Sequence, residues 1–182
     1  MESRVKLFGH AVHPILIVFP LGLLATAVIF DVISILTGVG GWSEIAFWMI
    51  AAGIIGGLAA AIFGLIDWLA IPSDTRAKVI GLWHGLGNVV VIGLFIVSWL
   101  LRASAPADPG TLAYVLSFVG AGLALVTGWL GGELVERLGV GVDDGAHLNA
   151  PSSLLNRPAS ESVAGGHRVI TGNPEHRGRH AT

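Results

Sequence analysis

Cysteine is absent from the 182 residues, and charge is scarce: Asp, Glu, Lys and Arg together make up only 12%. The first absence excludes disulfides, covalent attachment of a c-type haem and cysteine-held iron–sulfur clusters. Any redox centre on this chain must be held by histidine, methionine or oxygen ligands. The second excludes an ordinary soluble domain, in which about 25% of residues are charged. A formal net charge of −2 gives no indication of nucleic-acid binding. Also missing are a nucleophile motif, a phosphate-binding loop and a helical zinc-protease motif, which points away from an intrinsic catalytic activity. What the chain has in abundance is apolar side chains, at 53% of residues and a mean hydropathy of +0.77.

A spanning helix needs about 20 mainly apolar residues. Four segments qualify: Pro14–Leu36, Ile45–Ala70, Val79–Leu101 and Thr111–Leu134. Turn chemistry closes the first three, at Gly38-Val39-Gly40-Gly41, at Pro72-Ser73-Asp74 and at Ala105–Gly110. Loops this short force neighbours to run antiparallel. The predicted fold is therefore all-α, an up-and-down bundle of four transmembrane helices. Arg4 and Lys6 before the first apolar run resemble a signal peptide, but the run is too long and no small-residue cleavage site follows, so it reads as a retained helix. Three parts are expected: a cytosolic segment and helix cap at 1–13, the membrane domain at 14–137, and a polar, disordered tail at 138–182. Lys and Arg gather before the first helix, between the second and third, and after the fourth, while Arg102 alone edges the third loop. The positive-inside rule then places both termini in the cytoplasm of a bacterial inner-membrane, multi-pass protein.

Ionisable groups in hydrocarbon are costly, so each needs a reason. His13, Ile17, Pro20, Leu24, Ala27, Asp31 and Ser34 recur at intervals of four and three, on one face of the first helix. Gly53, Gly57, Ala60, Gly64 and Asp67 do so on the second, and Gly81, His84, Asn88 and Val91 on the third. Gly120, Ala124, Gly128 and Gly132 follow at intervals of four on the fourth, before Glu133. Polar residues sharing a stripe with small ones should face the bundle, where membrane helices approach closely. Depth sharpens this: at 1.5 Å per residue His84 lies about 9 Å beyond Lys78. One polar cluster is predicted at the cytosolic level, comprising His10, His13, Asp67, His84 and Glu133, with Asp31 apart near the outer side. Pro14 should push His13 out of helical conformation, and Pro20 should kink the first helix. Ser34, Ser98 and Ser117 read as packing or back-bonding residues. His147, His167, His176 and His180 read as solvated tail residues, with weak surface metal binding the alternative.

The stretch Gly9-His10-Ala11-Val12-His13-Pro14-Ile15-Leu16-Ile17-Val18-Phe19-Pro20-Leu21-Gly22-Leu23 resembles the opening signature of a bacterial membrane family, domain of unknown function 2231 (DUF2231). Gly128-Trp129-Leu130-Gly131-Gly132-Glu133-Leu134-Val135 followed by Gly139-Val140-Gly141-Val142 is similar to its closing motif. The resemblance spans roughly residues 7–143. Two departures stand out: Ala11 where the family usually has Pro, and Ile17 or Val18 where it has His. Some relatives join this module to Rieske or cytochrome-type domains, which implies proximity to electron transfer.

Several functions stay open on these residues. A structural or partner-binding membrane module needs nothing more than paired polar groups; its partners would be the lipid bilayer and a redox or membrane-complex protein, or another copy of the chain in a homo-oligomer. A b-type haem could take His13 and His84 from diagonal helices, with glycines admitting the porphyrin. A divalent metal could take His10, His13, Asp67, His84 and Glu133. Proton or ion translocation would pair Asp31 outside with the histidines inside, although no inverted repeat of the usual transporter kind is visible.

Overall fold

The computed structural model describes residues 1–155 and 157–163. A two-stranded hairpin, β1 (Lys6–Leu7) and β2 (His10–Ala11), leads into a short helix α1 (Val12–Leu16) and then α2 (Val18–Thr37). The hairpin turns at Phe8 and Gly9, with φ of 50° and 82°. Two consecutive positive φ values match the twist of a two-residue antiparallel turn. Helices α3 (Gly41–Ala70), α4 (Arg76–Arg102) and α5 (Thr111–Gly132) follow, and a π-helical turn, Glu133–Arg137, prolongs α5. Among the described residues four helical stretches are long and apolar enough to cross a membrane. They form an antiparallel bundle in which α2 packs on α3, α3 on α4 and α4 on α5.

The helix ends follow local chemistry. Thr75 caps α4, its hydroxyl accepting from the Lys78 amide at 3.2 Å. Gly38 ends α2 in the left-handed region that glycine tolerates. The α1–α2 joint falls at Ile17, because Pro20 has no N–H to donate to the Leu16 carbonyl four residues back. Pro14 does not expel His13 from the helix: it sits in the first turn of α1, where a missing N–H costs nothing.

The interior faces agree with the predicted stripes on three helices. Leu24, Ala27, Asp31 and Ser34 are buried on α2; Gly53, Gly57 and Ala60 on α3; Gly81 and Val91 on α4. The fourth stripe differs. On α5 the buried residues are Ala113, Ser117, Gly120 and Thr127, while Gly128 is exposed. Steps of four advance about 40° past a full turn at 3.6 residues per turn, so a strict four-residue stripe drifts off the interior face. The main core, with Leu24, Ala27, Ala46, Ile50, Ile54, Val91 and Phe95, fills the half of the bundle away from the N-terminus.

The bundle carries an internal pseudo-twofold. Gly53 meets Leu23 and Leu24, and Gly120 meets Leu94 and Phe95 in the same way. His13 bonds to the Ala60 carbonyl and lies against Gly64; His84 bonds to the Thr127 carbonyl and lies against Gly131. Leu24 and Phe95, His13 and His84, and Asp31 and Arg102 share one separation, 71 residues. The molecule is thus two helix hairpins, α1/α2–α3 and α4–α5, related by an axis along the bundle rather than inverted.

Beyond the π-helical turn the described chain runs through turns without regular elements. It lies beside the N-terminal segment: the Gly141 amide donates to the Met1 carbonyl at 2.9 Å, and Lys6 Nζ reaches Asp143 at 2.6 Å. His147 is placed here and contacts the Glu161 carbonyl at 3.2 Å. His167, His176 and His180 lie outside the described residues.

Candidate functional site: a histidine pair and a sealed ion pair

The axis of the bundle passes two polar pairs, one near each end. At the end carrying the N-terminus, the rings of His13 and His84 meet in an edge-on, T-shaped arrangement across the axis, with centroids 6.4 Å apart and planes at 86°. His13 Nδ1 lies 2.9 Å from the Ala60 carbonyl oxygen, and His84 Nδ1 lies 2.8 Å from that of Thr127. A carbonyl only accepts, so in the neutral rings Nδ1 carries the proton and Nε2 keeps its lone pair. A Cβ at Gly64 would stand 2.8 Å from His13 Cε1, and one at Gly131 would stand 3.0 Å from His84 Cε1. Only glycine allows each imidazole to lie so close to the neighbouring helix. Asn88 adds a polar wall on one side: its amide donates to the His84 carbonyl at 2.8 Å and lies 3.3 Å from His84 Nε2, while its carbonyl accepts from Thr127 Oγ1 at 3.1 Å. The repeat-equivalent positions Ile17 and Ala60 offer nothing comparable beside His13. Both histidines are only half-buried, and α1 buries no residue at all.

The predicted five-residue cluster is divided by the structure. His13 and His84 meet. Asp67 turns to the N-terminal segment, accepting from Ser3 Oγ and from the Arg4 amide at 2.8 Å. Glu133 pairs with Arg76 at 2.6 Å. His10 is exposed on β2 and contacts Ser153 at 3.3 Å. Among the described residues no three His, Cys, Asp or Glu side chains lie together as a metal would require.

At the opposite end Asp31 and Arg102 form a bidentate ion pair, 2.6 and 2.7 Å, with both side chains fully buried. Arg102 Nε donates to Ser98 Oγ at 3.2 Å, and Nη2 donates to Ser117 Oγ at 3.1 Å and to the Ala113 carbonyl. Tyr114 covers the guanidinium with its ring, 5.1 Å from Cζ, and its hydroxyl meets Ser43 Oγ at 2.6 Å. Every charge in this interior is therefore matched, as a bilayer demands. Sequence reasoning placed Asp31 on the interior face but took Arg102 for a loop charge and Ser98 and Ser117 for isolated hydroxyls. Ser98 standing one turn before Arg102 on the helix was the available signal.

Four antiparallel apolar helices whose ionisable groups turn inward and pair define a multi-pass integral membrane protein. The family model for the predicted membrane proteins DUF2231 matches residues 9–144, from the Gly9-His10 opening through the fourth helix, and the chain belongs to that family. No curated protein and no solved structure matches it.

Proposed function

We propose that the chain is a bacterial cell-membrane module that holds a b-type haem between His13 and His84, and so serves one-electron transfer beside a redox partner. One observation carries the reading: two imidazoles on diagonal helices, their Nδ1–H groups tied to backbone carbonyls, meet edge-on with centroids 6.4 Å apart. A haem held here would take Nε2 of His13 and Nε2 of His84 as its two protein ligands. Donor count favours haem over a bare divalent ion. A bare divalent ion wants about four to six ligands, and this level of the bundle offers two. A tetrapyrrole brings its own nitrogens and asks the protein for an axial pair. Carbonyls that hold Nδ1–H fix each ring's orientation and raise the basicity of Nε2. Such a haem would supply a one-electron couple, and the chain would supply the two imidazole nitrogens that hold it.

Orientation supports a cytoplasmic position for the site. With Arg102 sealed against Asp31, the two loops at the far end carry no free Lys or Arg, whereas Arg4, Lys6, Arg76, Lys78 and Arg137 gather at the histidine end. The positive-inside rule puts that end in the cytoplasm. The test is the absorption spectrum of detergent-purified protein after haem supplementation, with elemental analysis on the same preparation. A low-spin Soret band that is lost in the double variant His13→Ala/His84→Ala is the expected result. A spectrum without a Soret band, in a protein that is folded by circular dichroism, would leave the bundle as a structural or partner-binding module.

A further inference from the structure

Two segments at the histidine end leave apolar side chains in the open. At the hairpin turn Leu7 is 51% exposed and Phe8 74%. In the chain beyond the π-helical turn, Leu154 is 74% exposed and Leu155 51%. This second segment closes on itself. The Val163 amide donates to the Asn149 carbonyl at 3.1 Å, His147 meets the Glu161 carbonyl, and a Cβ at Gly145 would stand 2.6 Å from Ser160 Cβ. Residues 149–163 thus form a compact surface loop whose ends meet. Loops of this kind usually pack their own side chains inside, but here the paired leucines face outward. The loop is seated on the hairpin turn. A Cβ at Gly9 would stand 2.7 Å from Ser153 Cβ and 2.9 Å from its carbonyl oxygen, and Ser153 Oγ lies 3.3 Å from His10 Nε2. Leu154 and Leu155 follow Ser153 directly and Phe8 precedes Gly9, so the exposed side chains of both segments gather at one contact.

That contact has a defined height. β2 passes into α1 at Val12, where the first apolar span begins. At about 3.3 Å per extended residue, Gly9 stands no more than about 10 Å from that point. The headgroup layer is about 5–7 Å deep on each face of a bilayer, so the contact lies at its level. From there α1 and α2 continue into the hydrocarbon with Ile15, Val18 and Phe19 exposed. Charge does not oppose a close approach to lipid headgroups, because Asp143 is paired with Lys6 at 2.6 Å and Glu161 with Arg157 at 2.7 Å. We propose that the 149–163 loop is a membrane-surface anchor: Leu154 and Leu155, with Phe8 at the hairpin tip, enter the headgroup–acyl boundary of the leaflet at the histidine end. The partner is the lipid surface itself, continuous with the lipid against Ile15, Val18 and Phe19. The segment after the fourth helix is then held to the bilayer beside α1 instead of standing free in water. None of this depends on a cofactor between His13 and His84.

The experiment uses the full chain in nanodiscs of phosphatidylcholine and phosphatidylglycerol. Because the chain has no cysteine, the single variants Phe8→Cys, Leu154→Cys and Leu155→Cys can each carry one nitrobenzoxadiazole dye. Asp144→Cys, whose native side chain is 81% exposed, serves as the aqueous reference. Emission from the first three positions should shift to the blue of the reference. A nitroxide on a shallow acyl carbon should quench them more than one on a deep carbon, which places the dyes about 5–10 Å into the headgroup–acyl boundary. Iodide in the water should quench them less than the reference. The double variant Leu154→Ser/Leu155→Ser leaves the bundle interior unaltered and should speed hydrogen exchange at residues 150–155 in nanodiscs. Iodide quenching at 154 and 155 equal to the reference would overturn the anchor by leaving the loop in water. Blue emission that neither iodide nor any lipid nitroxide quenches would also overturn it, by showing a protein cover such as a second copy. So would unchanged exchange in the double variant.

Discussion

Replacing Asp31 or Arg102 separately, and then both together, tests how the far end of the bundle is held. With Asp31→Leu, the fully buried guanidinium of Arg102 loses two short charge-assisted bonds, at 2.6 and 2.7 Å, and keeps only neutral acceptors on Ser98, Ala113 and Ser117. Stranding one member of a buried pair costs about 3–5 kcal/mol. Two effects reduce this. Arg102 is the last residue of α4 and could extend toward the headgroups, and polar bonds between membrane helices average only about 0.6 kcal/mol because the unfolded reference also finds partners. Tyr114 over the guanidinium and the complete burial of both side chains oppose the escape, since extension would require unpacking α5. The stranded charge should win, at about 3 kcal/mol for either single variant. The double variant Asp31→Leu/Arg102→Met strands nothing and should lie within about 1.5 kcal/mol of wild type. Unfolding in mixed detergent micelles, followed by tryptophan fluorescence, gives all the corners of the cycle. Single variants costing under about 1 kcal/mol, with a double variant equal to their sum, would refute the claim that this pair locks the two hairpins together.

Gly64→Ala and Gly131→Ala push a Cβ into His13 and His84, respectively, and should reduce haem uptake while leaving the unfolding midpoint nearly unchanged. Absorption titration and fluorescence on one sample separate those outcomes. Pro20→Ala returns a donor to the Leu16 carbonyl and should join α1 to α2; hydrogen exchange should report new protection at residue 20, with a gain in stability under about 1 kcal/mol. The Lys6 ion pairs with Glu2 and Asp143 should depend on pH in a set direction. The hydrogen bond from Lys6 holds the Glu2 carboxyl below its usual range, and Asp143, then Glu2, lift the Lys6 ammonium above its own. The Glu2 contribution is complete above the ordinary carboxylate range and is lost as pH falls through the lowered value; the Lys6 contribution is complete below the ordinary lysine range and is lost as pH rises through the raised value. Proteolysis of the tail should therefore be slow at neutral pH and accelerate in acid. Absence of acid acceleration would argue against those ion pairs holding the tail to the N-terminal segment. Because the chain lacks cysteine, one introduced thiol on the tail offers a dye site for the same measurement.

Hydropathy, loop chemistry and helical periodicity were enough to read four spans, their antiparallel order and the inward faces of three helices. Those properties are local: apolar length is set by bilayer thickness, and a three-and-four spacing puts residues on one face whatever they meet. Opposed histidines at a shared depth were legible for the same reason, because depth follows from residue count along a regular helix. Partner choice was not. Whether Asp67 meets His84 or Ser3, and whether Glu133 meets a metal or Arg76, depends on where an N-terminal hairpin and a loop arginine come to lie. Stripe spacing says nothing about either. The repeat was also hidden in the sequence. Equivalent positions carry Leu24 and Phe95, Ala60 and Thr127, Asp31 and Arg102, and only the packing against Gly53 and Gly120, or Gly64 and Gly131, reveals the match. By itself the sequence determined that this is a four-helix membrane protein with costly polar groups turned inward. The tertiary structure alone decided which of them pair, because those pairings form between residues as far apart as 86 positions.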